Sequence, residues 1–253
     1  MQAVILVGGF GTRLRPLTRD VPKQMLPVVD RPMIEHVVAH LAAHGVTRVV
    51  LSLGFRPEAF SDAYPDGTCA GLPLHYAVEP EPLDTAGAVR FAALEAGIRA
   101  TRGSGIGTGR GTDRATVSGS SSRDRTGSDH GGSDAFLVLN GDVLTDLDIT
   151  AMVASHRAAG AEATLALTEV EDPSRYGVVP TDAEGRVLGV VEKPDAASAP
   201  SRRLTAGTYI PEPAILDRSP AGRRGSIERE GLPALAPEAR RGALQADAER
   251  DDR

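Results

Sequence analysis

Ala3-Val-Ile-Leu-Val7 is apolar at every position and stops at Gly8-Gly9. A short, unbroken apolar run ended by a turn signal has no polar face to give to water. It therefore reads as a strand buried on both sides, as in a parallel sheet covered by helices. Such a strand needs neighbouring strands and helical cover, and the next residues supply both. Met33, Ile34, Val37, Val38 and Leu41 recur at helical spacing, which predicts a helix from Pro32 through His44 with Gly45 as a left-handed C-terminal cap. Thr47 to Leu53 is the next strand, and strand, helix and strand in that order form a right-handed βαβ unit.

The alternation continues with a weak helix after Pro57, a strand over Leu74 to Val78, a helix near Thr85 to Ile98 and the strand Phe136-Leu-Val-Leu139. The expectation is an α/β fold with a doubly wound, mostly parallel, Rossmann-like sheet. Asp148 then caps a helix to about Ala159, followed by a strand over Thr164 to Val170. A hairpin of Tyr176 to Pro180 with Arg186 to Val191 and a strand over Leu204 to Ile210 come next. This change from βα repeats to paired strands predicts a β-rich edge that holds a second substrate. Ser226 to Leu235 reads as a last helix. Thr101 to Asp134 interrupts the pattern: 21 of its 34 residues are Gly, Ser or Thr, so it buries too little apolar surface to offset its ordering entropy and is expected to be a disordered insertion. The expected organisation is one domain over 1–235, interrupted at 101–134, with an irregular charged tail over 236–253.

Composition narrows the function. A net charge of −6 disfavours general nucleic-acid binding, which neutralises phosphates over an extended surface. The N-terminus has no export signal and no apolar run is long enough to span a bilayer, so the expectation is a soluble protein that binds neither nucleic acid nor membrane. The single cysteine, Cys69, forms no internal disulfide and has no metal spacing, which fits a reducing cytoplasm. His36, His40 and His44 fall on one helical stripe, but no carboxylate completes a metal site, so they read as a helix flank.

Gly8-Gly9-Phe10-Gly11-Thr12-Arg13 combines a turn rich in backbone N–H groups with a cation, the composition of a phosphate-binding loop. It is neither of two familiar phosphate loops. The lysine-containing one needs Gly-Lys-Ser/Thr, and the dinucleotide one needs a third glycine where Leu14 stands. Arg13, Arg15, Arg19 and Lys23 concentrate positive charge there, although such a cluster alone reads as a solvated face. Asp142 follows the strand ending at Leu139, at the carboxyl edge where open α/β sheets bind ligands.

Leu6-Val-Gly-Gly-Phe-Gly-Thr-Arg-Leu-Arg-Pro-Leu-Thr18, then Pro22-Lys-Gln-Met-Leu-Pro-Val28 and Arg31-Pro-Met-Ile34, closely resemble the sugar-phosphate nucleotidylyltransferases. Glu79-Pro-Glu-Pro-Leu-Asp-Thr-Ala-Gly87, Leu139-Asn-Gly-Asp-Val143, Tyr176-Gly-Val-Val179, Glu192-Lys-Pro194 and Ala206-Gly-Thr-Tyr209 follow in family order. The resemblance is nearest to the mannose-1-phosphate guanylyltransferase-like branch. It implies a nucleotidyltransferase fold and small-molecule substrates, an NTP (GTP) and a sugar 1-phosphate (mannose 1-phosphate), joined with release of pyrophosphate. It also implies that Arg13 and Lys23 are catalytic phosphate clamps, with Gly8, Gly9, Gly11 and Thr12 as the nucleotide loop. Glu79 would read the base, its acceptor-only carboxylate matching the N1–H and N2–H2 donors of guanine. Asp142 would bind Mg2+. Gly177, Glu192, Lys193 and Thr205 would hold the sugar phosphate. A homo-oligomer is compatible with this reading.

Three features depart from the family pattern. Asp84 stands where a glycine usually lets the base approach the backbone, and Thr205 replaces an asparagine. The sequence also ends before an Asp-Val-Gly-Thr-Pro-like segment whose aspartate normally supplies the second Mg2+ carboxylate; Asp247, Asp251 and Asp252 do not match it. Two alternatives therefore stay open: a weakly active or non-catalytic nucleotide- or sugar-binding paralogue, and a glucose-1-phosphate uridylyl- or thymidylyltransferase.

Overall fold

The structure is a computed structural model that describes residues 1–99, 135–218, 224–227, 230 and 241–245. In chain order the strands are β1 (Gln2–Leu6), β2 (Pro27–Val28), β3 (Arg31–Pro32), β4 (Arg48–Leu53), β5 (Thr68–Cys69), β6 (Leu72–Val78), β7 (Leu137–Asn140), β8 (Ala163–Glu169), β9 (Gly177–Val178), β10 (Val191–Glu192), β11 (Arg203–Pro211) and β12 (Arg241–Gln245). The helices are α1 (Met33–Ala43), α2 (Glu58–Ala63), α3 (Asp84–Glu95) and α4 (Ile149–Ala159). Eight strands form one sheet in the order β12-β8-β11-β7-β1-β4-β6-β5, while β9 with β10 and β2 with β3 make two separate ribbons.

β7, β1, β4 and β6 are mutually parallel. The alternation of β1 shows why both faces need cover. Ala3, Ile5 and Val7 pack with Ile34, Val38 and Leu41 of α1 and Met152 of α4. Val4 points the other way, into a cluster with Val89, Ala92 and Ala93 of α3. Each fully buried aliphatic side chain contributes roughly 1.5–3 kcal/mol, so the doubly wound arrangement is what this run of residues demands.

The caps follow their expected chemistry. Gly45 has φ +77° after α1. Asp148 Oδ1 accepts from the Ala151 N–H at 2.9 Å, satisfying one free donor at the start of α4. The histidine stripe stitches α1 to its surroundings: His36 Nε2 meets the Val28 carbonyl, His40 Nε2 the Leu147 carbonyl and His44 Nδ1 the Thr150 hydroxyl, at 2.8–2.9 Å. Cys69 is buried, and burial pushes its thiol up to about 11, which leaves it protonated and unreactive near neutrality.

Two features go beyond the sequence reading. β11 lies inside the sheet, between β7 and β8 and antiparallel to both. Its C-terminal half, Gly207 to Pro211, is buried, as an interior strand must be. The stretch 236–253, expected to be irregular, contains β12, which pairs in parallel with β8 from Arg241↔Ala163 to Gln245↔Leu167. The open edge of β8 offers unpaired backbone groups, and a short segment can satisfy them without any amphipathic period of its own. The insertion 101–134 and most of the helix expected over 226–235 lie outside the described residues. Among the described residues no helix is long and apolar enough to cross a membrane.

Candidate active site

Parallel strands end at a common edge, so the loops after β7, β1, β4 and β6 converge. A cavity of about 620 Å3 opens there, lined by Gly8 and Gly9 after β1, Gly54 after β4, Glu79 after β6, and Asn140 and Asp142 at the end of β7. Neighbouring strands lie about 4.8 Å apart, so β7 to β6 spans roughly 14 Å, enough to lay a nucleotide along the edge from phosphate to base.

The glycine-rich turn is shaped by Gly11, whose φ of +58° suits a residue without a β-carbon. Its carbonyl accepts from the Thr18 hydroxyl at 2.6 Å and from the Leu14 N–H at 2.9 Å. On the neighbouring strand, Gly141 is required by close packing: a β-carbon there would lie 2.7 Å from Val7 Cγ1 and 2.9 Å from Ile5 Cγ2. The turn after β7 is thus pressed against β1, which brings Asp142 to the same wall as the glycine loop. There it forms an ion pair with Lys23, 119 residues away in sequence. Both side chains are partly exposed, and such pairs contribute little to stability. The pair's consequence is chemical: a cation and a carboxylate stand ready to exchange each other for anionic and cationic ligands.

Glu79 marks the other end. Its Oε1 accepts from the Ser52 hydroxyl at 3.0 Å and its Oε2 from the Leu83 N–H at 3.0 Å. A carboxylate has about four acceptor sites, so these bonds fix its orientation while leaving capacity for two ligand donors. Beside it, Asp84 adopts φ +59°, the left-handed region that favours glycine, and its Oδ1 accepts from the Thr85 N–H at 2.8 Å. The backbone conformation suits the glycine that the family resemblance implies there, and asparagine-like local bonding lets aspartate occupy it.

Of the expected site residues, the cavity brings together Gly8, Gly9, Lys23, Glu79 and Asp142. Gly11, Thr12 and Arg13 do not line it; Arg13 is exposed on the single 3-10 turn Thr12–Leu14 that leaves the glycine loop. Gly177 and Glu192 are directly paired across the β9–β10 ribbon. Lys193 follows with φ +43° and an exposed side chain 3.9 Å from Glu192. Thr205 lies on β11, where its hydroxyl accepts from Tyr209 at 3.2 Å. These four also stand outside the cavity lining.

Other lining residues were not singled out from the sequence. Gln24 is almost fully buried, and its Oε1 has no hydrogen-bond partner among the described residues, although it lines the cavity next to Lys23. Its place beside Lys23 in the Pro22-to-Val28 motif was a usable signal. Ser52 looked like an ordinary strand residue. Arg224 enters from a distant segment that no local pattern ties to the site.

The lining carries four carboxylates, Glu79, Glu81, Asp84 and Asp142, against two cations, Lys23 and Arg224. An anionic ligand would therefore enter more favourably with a cation of its own. Among the described residues no group of three or more His, Cys, Asp or Glu side chains could hold a metal ion. Asp142, with Asn140 at hand, is suited instead to a divalent ion shared with a substrate, as Mg2+ commonly is.

The nucleotidyl transferase family profile matches residues 2–101 and 110–249. The chain is 36% identical over 235 residues to a mannose-1-phosphate guanylyltransferase of Mycobacterium tuberculosis, covering 93% of this chain and 55% of that protein. It is 38% identical over 238 residues to a mannose-1-phosphate guanyltransferase of Schizosaccharomyces pombe, covering 93% and 56%. The chain thus spans about half the length of the curated relatives it matches. Among solved structures, HddC from Yersinia pseudotuberculosis complexed with GMP-PN superposes with a TM-score of 0.69 at 25% identity, over 97% of this chain and 90% of that one. Motif order, parallel-edge cavity and these matches agree, and the chain belongs to the nucleotidyl transferase family.

Proposed function

We propose that this chain carries the active site of a sugar-1-phosphate nucleotidylyltransferase that joins GTP to mannose 1-phosphate, forming GDP-mannose and pyrophosphate. The observation that carries the proposal is the Lys23–Asp142 pair in a cavity whose other end is the oriented carboxylate of Glu79. An oxygen of the sugar phosphate attacks the α-phosphorus. The bond from that phosphorus to the bridging oxygen breaks, and pyrophosphate leaves with the electron pair. Transfers of this kind are catalysed mainly by positioning and charge neutralisation.

Gly8 and Gly9 let the backbone approach the phosphates. Lys23 faces the attacked phosphate and Arg13 the departing pyrophosphate. Asp142 would hold Mg2+, which when bound would neutralise triphosphate charge. Its partner Lys23 lines the same cavity and offers its ammonium to the phosphates. Gly177, Glu192, Lys193 and Thr205 hold the sugar phosphate at the β9–β10 ribbon and β11. Glu79 accepts from guanine N1–H and N2–H2, whereas uracil or thymine would set a carbonyl acceptor against it.

The names of the relatives support the guanylyl and mannose assignments. The test is pyrophosphate release with GTP, UTP, dTTP and ATP against mannose and glucose 1-phosphates, repeated for Glu79→Gln. A good bidentate pair discriminates by about 1–3 kcal/mol, so GTP should lead UTP and dTTP by roughly ten- to a hundredfold, and the glutamine variant should erode that ratio. A uridine or thymidine nucleotide as the best substrate would overturn the guanylyl assignment.

A further inference from the structure

We infer that Arg224 is a second base-reading residue, donating to the O6 and N7 acceptors of guanine while Glu79 accepts from its N1–H and N2–H2. The inference rests on the reading of Glu79 above and deepens it.

The segment that carries Arg224 is tied to the start of α3. The Gly225 N–H donates to the Leu83 carbonyl at 3.2 Å, the Ala86 N–H donates to the Gly225 carbonyl at 2.8 Å, and the Ile227 N–H donates to the Thr85 hydroxyl at 2.8 Å. Leu83 is also the residue whose N–H holds the Glu79 carboxylate at 3.0 Å. One residue therefore ties the Glu79 carboxylate to the backbone beside Arg224, and both residues line the same cavity. The other cation of the lining, Lys23, is committed to Asp142 at the β7 end. Among the described residues Arg224 makes no ion pair or hydrogen bond.

The backbone beside Arg224 is bonded to Leu83, on the side of the cavity that carries Glu79, whereas Asp142 leaves the end of β7 three strands away. The Arg224 guanidinium is suited to acceptors on the base. Guanine presents two donors on one edge and two acceptors, O6 and N7, on another, and the forked guanidinium matches the latter pair as it does in nucleic-acid recognition. Adenine would set its N6–H2 donors against the same fork. Glu79 and Arg224 together would thus reject pyrimidines and adenine by different contacts.

The two contacts can be removed separately from the ligand side. ITP lacks the 2-amino group read by Glu79, and 7-deaza-GTP lacks the N7 acceptor read by Arg224. Calorimetric affinities of GTP, ITP, 7-deaza-GTP, ATP and UTP would be measured on the chain and on its Arg224→Ala, Arg224→Lys and Glu79→Gln variants at fixed Mg2+. The unmodified chain should prefer GTP to 7-deaza-GTP by about tenfold, the worth of one charge-assisted hydrogen bond. Arg224→Ala should abolish that ratio and keep the GTP-to-ITP ratio, and Arg224→Lys should weaken the former because the fork is lost. Glu79→Gln should do the reverse. Persistence of the 7-deaza penalty in Arg224→Ala, its absence in the unmodified chain, or an equal loss for all five nucleotides would overturn the inference. An unchanged GTP-to-ITP ratio in Glu79→Gln would instead sink the Glu79 reading.

Discussion

The parallel half of the sheet and its antiparallel half present chemistry in different ways. In β1, β4, β6 and β7 the strands are buried on both faces, and their loops leave from one edge. Residues far apart in sequence therefore meet in a single cavity without movement of the strands: Gly8, Gly54, Glu79 and Asp142 come from four separate loops. Beside the other half, the separate β9–β10 ribbon, tied to β11 by the Val179 N–H to Arg203 carbonyl bond, ends in the exposed Glu192 and Lys193 and has two paired residues on each strand. Small two-stranded ribbons have little stability of their own. Under the proposed roles the nucleotide end is thus built in advance, while the ribbon proposed to hold the sugar phosphate has less support from its own pairing. A preorganised site delivers electrostatic stabilisation without reorganisation during reaction, so the parallel half is where substitutions should cost most in turnover.

Asp142→Asn is the largest expected effect. It keeps the shape of the side chain but removes the charge that opposes both Lys23 and a divalent ion, so pyrophosphate release should fall by at least about a hundredfold, the scale seen when one preorganised electrostatic contact is lost. Far-ultraviolet circular dichroism and the thermal midpoint should stay close to those of the unmodified chain, because the exposed pair contributes little to stability. Comparable turnover in the variant would break the proposed division between the two halves.

Gly141→Ala attacks the same wall through packing. A β-carbon 2.7 Å from Val7 Cγ1 and 3.0 Å from the Leu6 carbonyl must displace β1 or the turn after β7. Overpacking of this kind costs about 1–3 kcal/mol. The denaturant midpoint should drop accordingly, and nucleotide affinity with it, since the glycine loop leaves β1 directly. On the sugar side, Glu192→Gln should raise KM for the sugar phosphate about tenfold with GTP affinity unchanged, as expected for loss of a charged hydrogen bond. A matching loss of GTP affinity would show that the ribbon and the cavity are one preformed unit.

The parallel half was legible because its local signals agree with its burial. Ala3 to Val7, the periodic face of α1 and the Gly45 cap each dictate their own structure, and the phosphate loop sits within a few residues of them. Asp142 could be placed at the strand edge by the same logic. Less could be read where partners are distant. Nothing local shows that β11 inserts between β7 and β8, because an antiparallel interior strand and an edge strand carry the same apolar character. β12 is a strand only because β8 lends it a ladder. Ser52 reaches Glu79 through its hydroxyl, and Arg224 is brought to the cavity by its neighbour Gly225, which bonds the Leu83 carbonyl; both ties join segments far apart in sequence. Gln24 was within a recognised motif, yet its burial beside Lys23 depends on packing that spacing does not encode.

The smallest expected effect concerns pH and belongs to the antiparallel half. His156 on α4 is buried, with Nδ1 2.8 Å from the Thr164 hydroxyl of β8 and Nε2 3.3 Å from Glu212 just after β11. Burial holds its pKa below the ordinary 6.5, with Glu212 opposing the shift only in part. The native state thus resists a proton that the unfolded chain accepts once the pH falls below 6.5. Stability tied to this group is complete above that value and is lost as the pH drops, at no more than about 1.4 kcal/mol per pH unit until the native pKa is reached. His36, His40 and His44 in the parallel half are partly exposed. Denaturant midpoints measured from about pH 7.5 down to about pH 5.5 should therefore decline, and His156→Gln should flatten the decline while lowering stability throughout. If the slope is unchanged in that variant and is removed by substituting the α1 histidines, the acid-sensitive contact lies at the α1 flank and the contrast between the halves fails on this point.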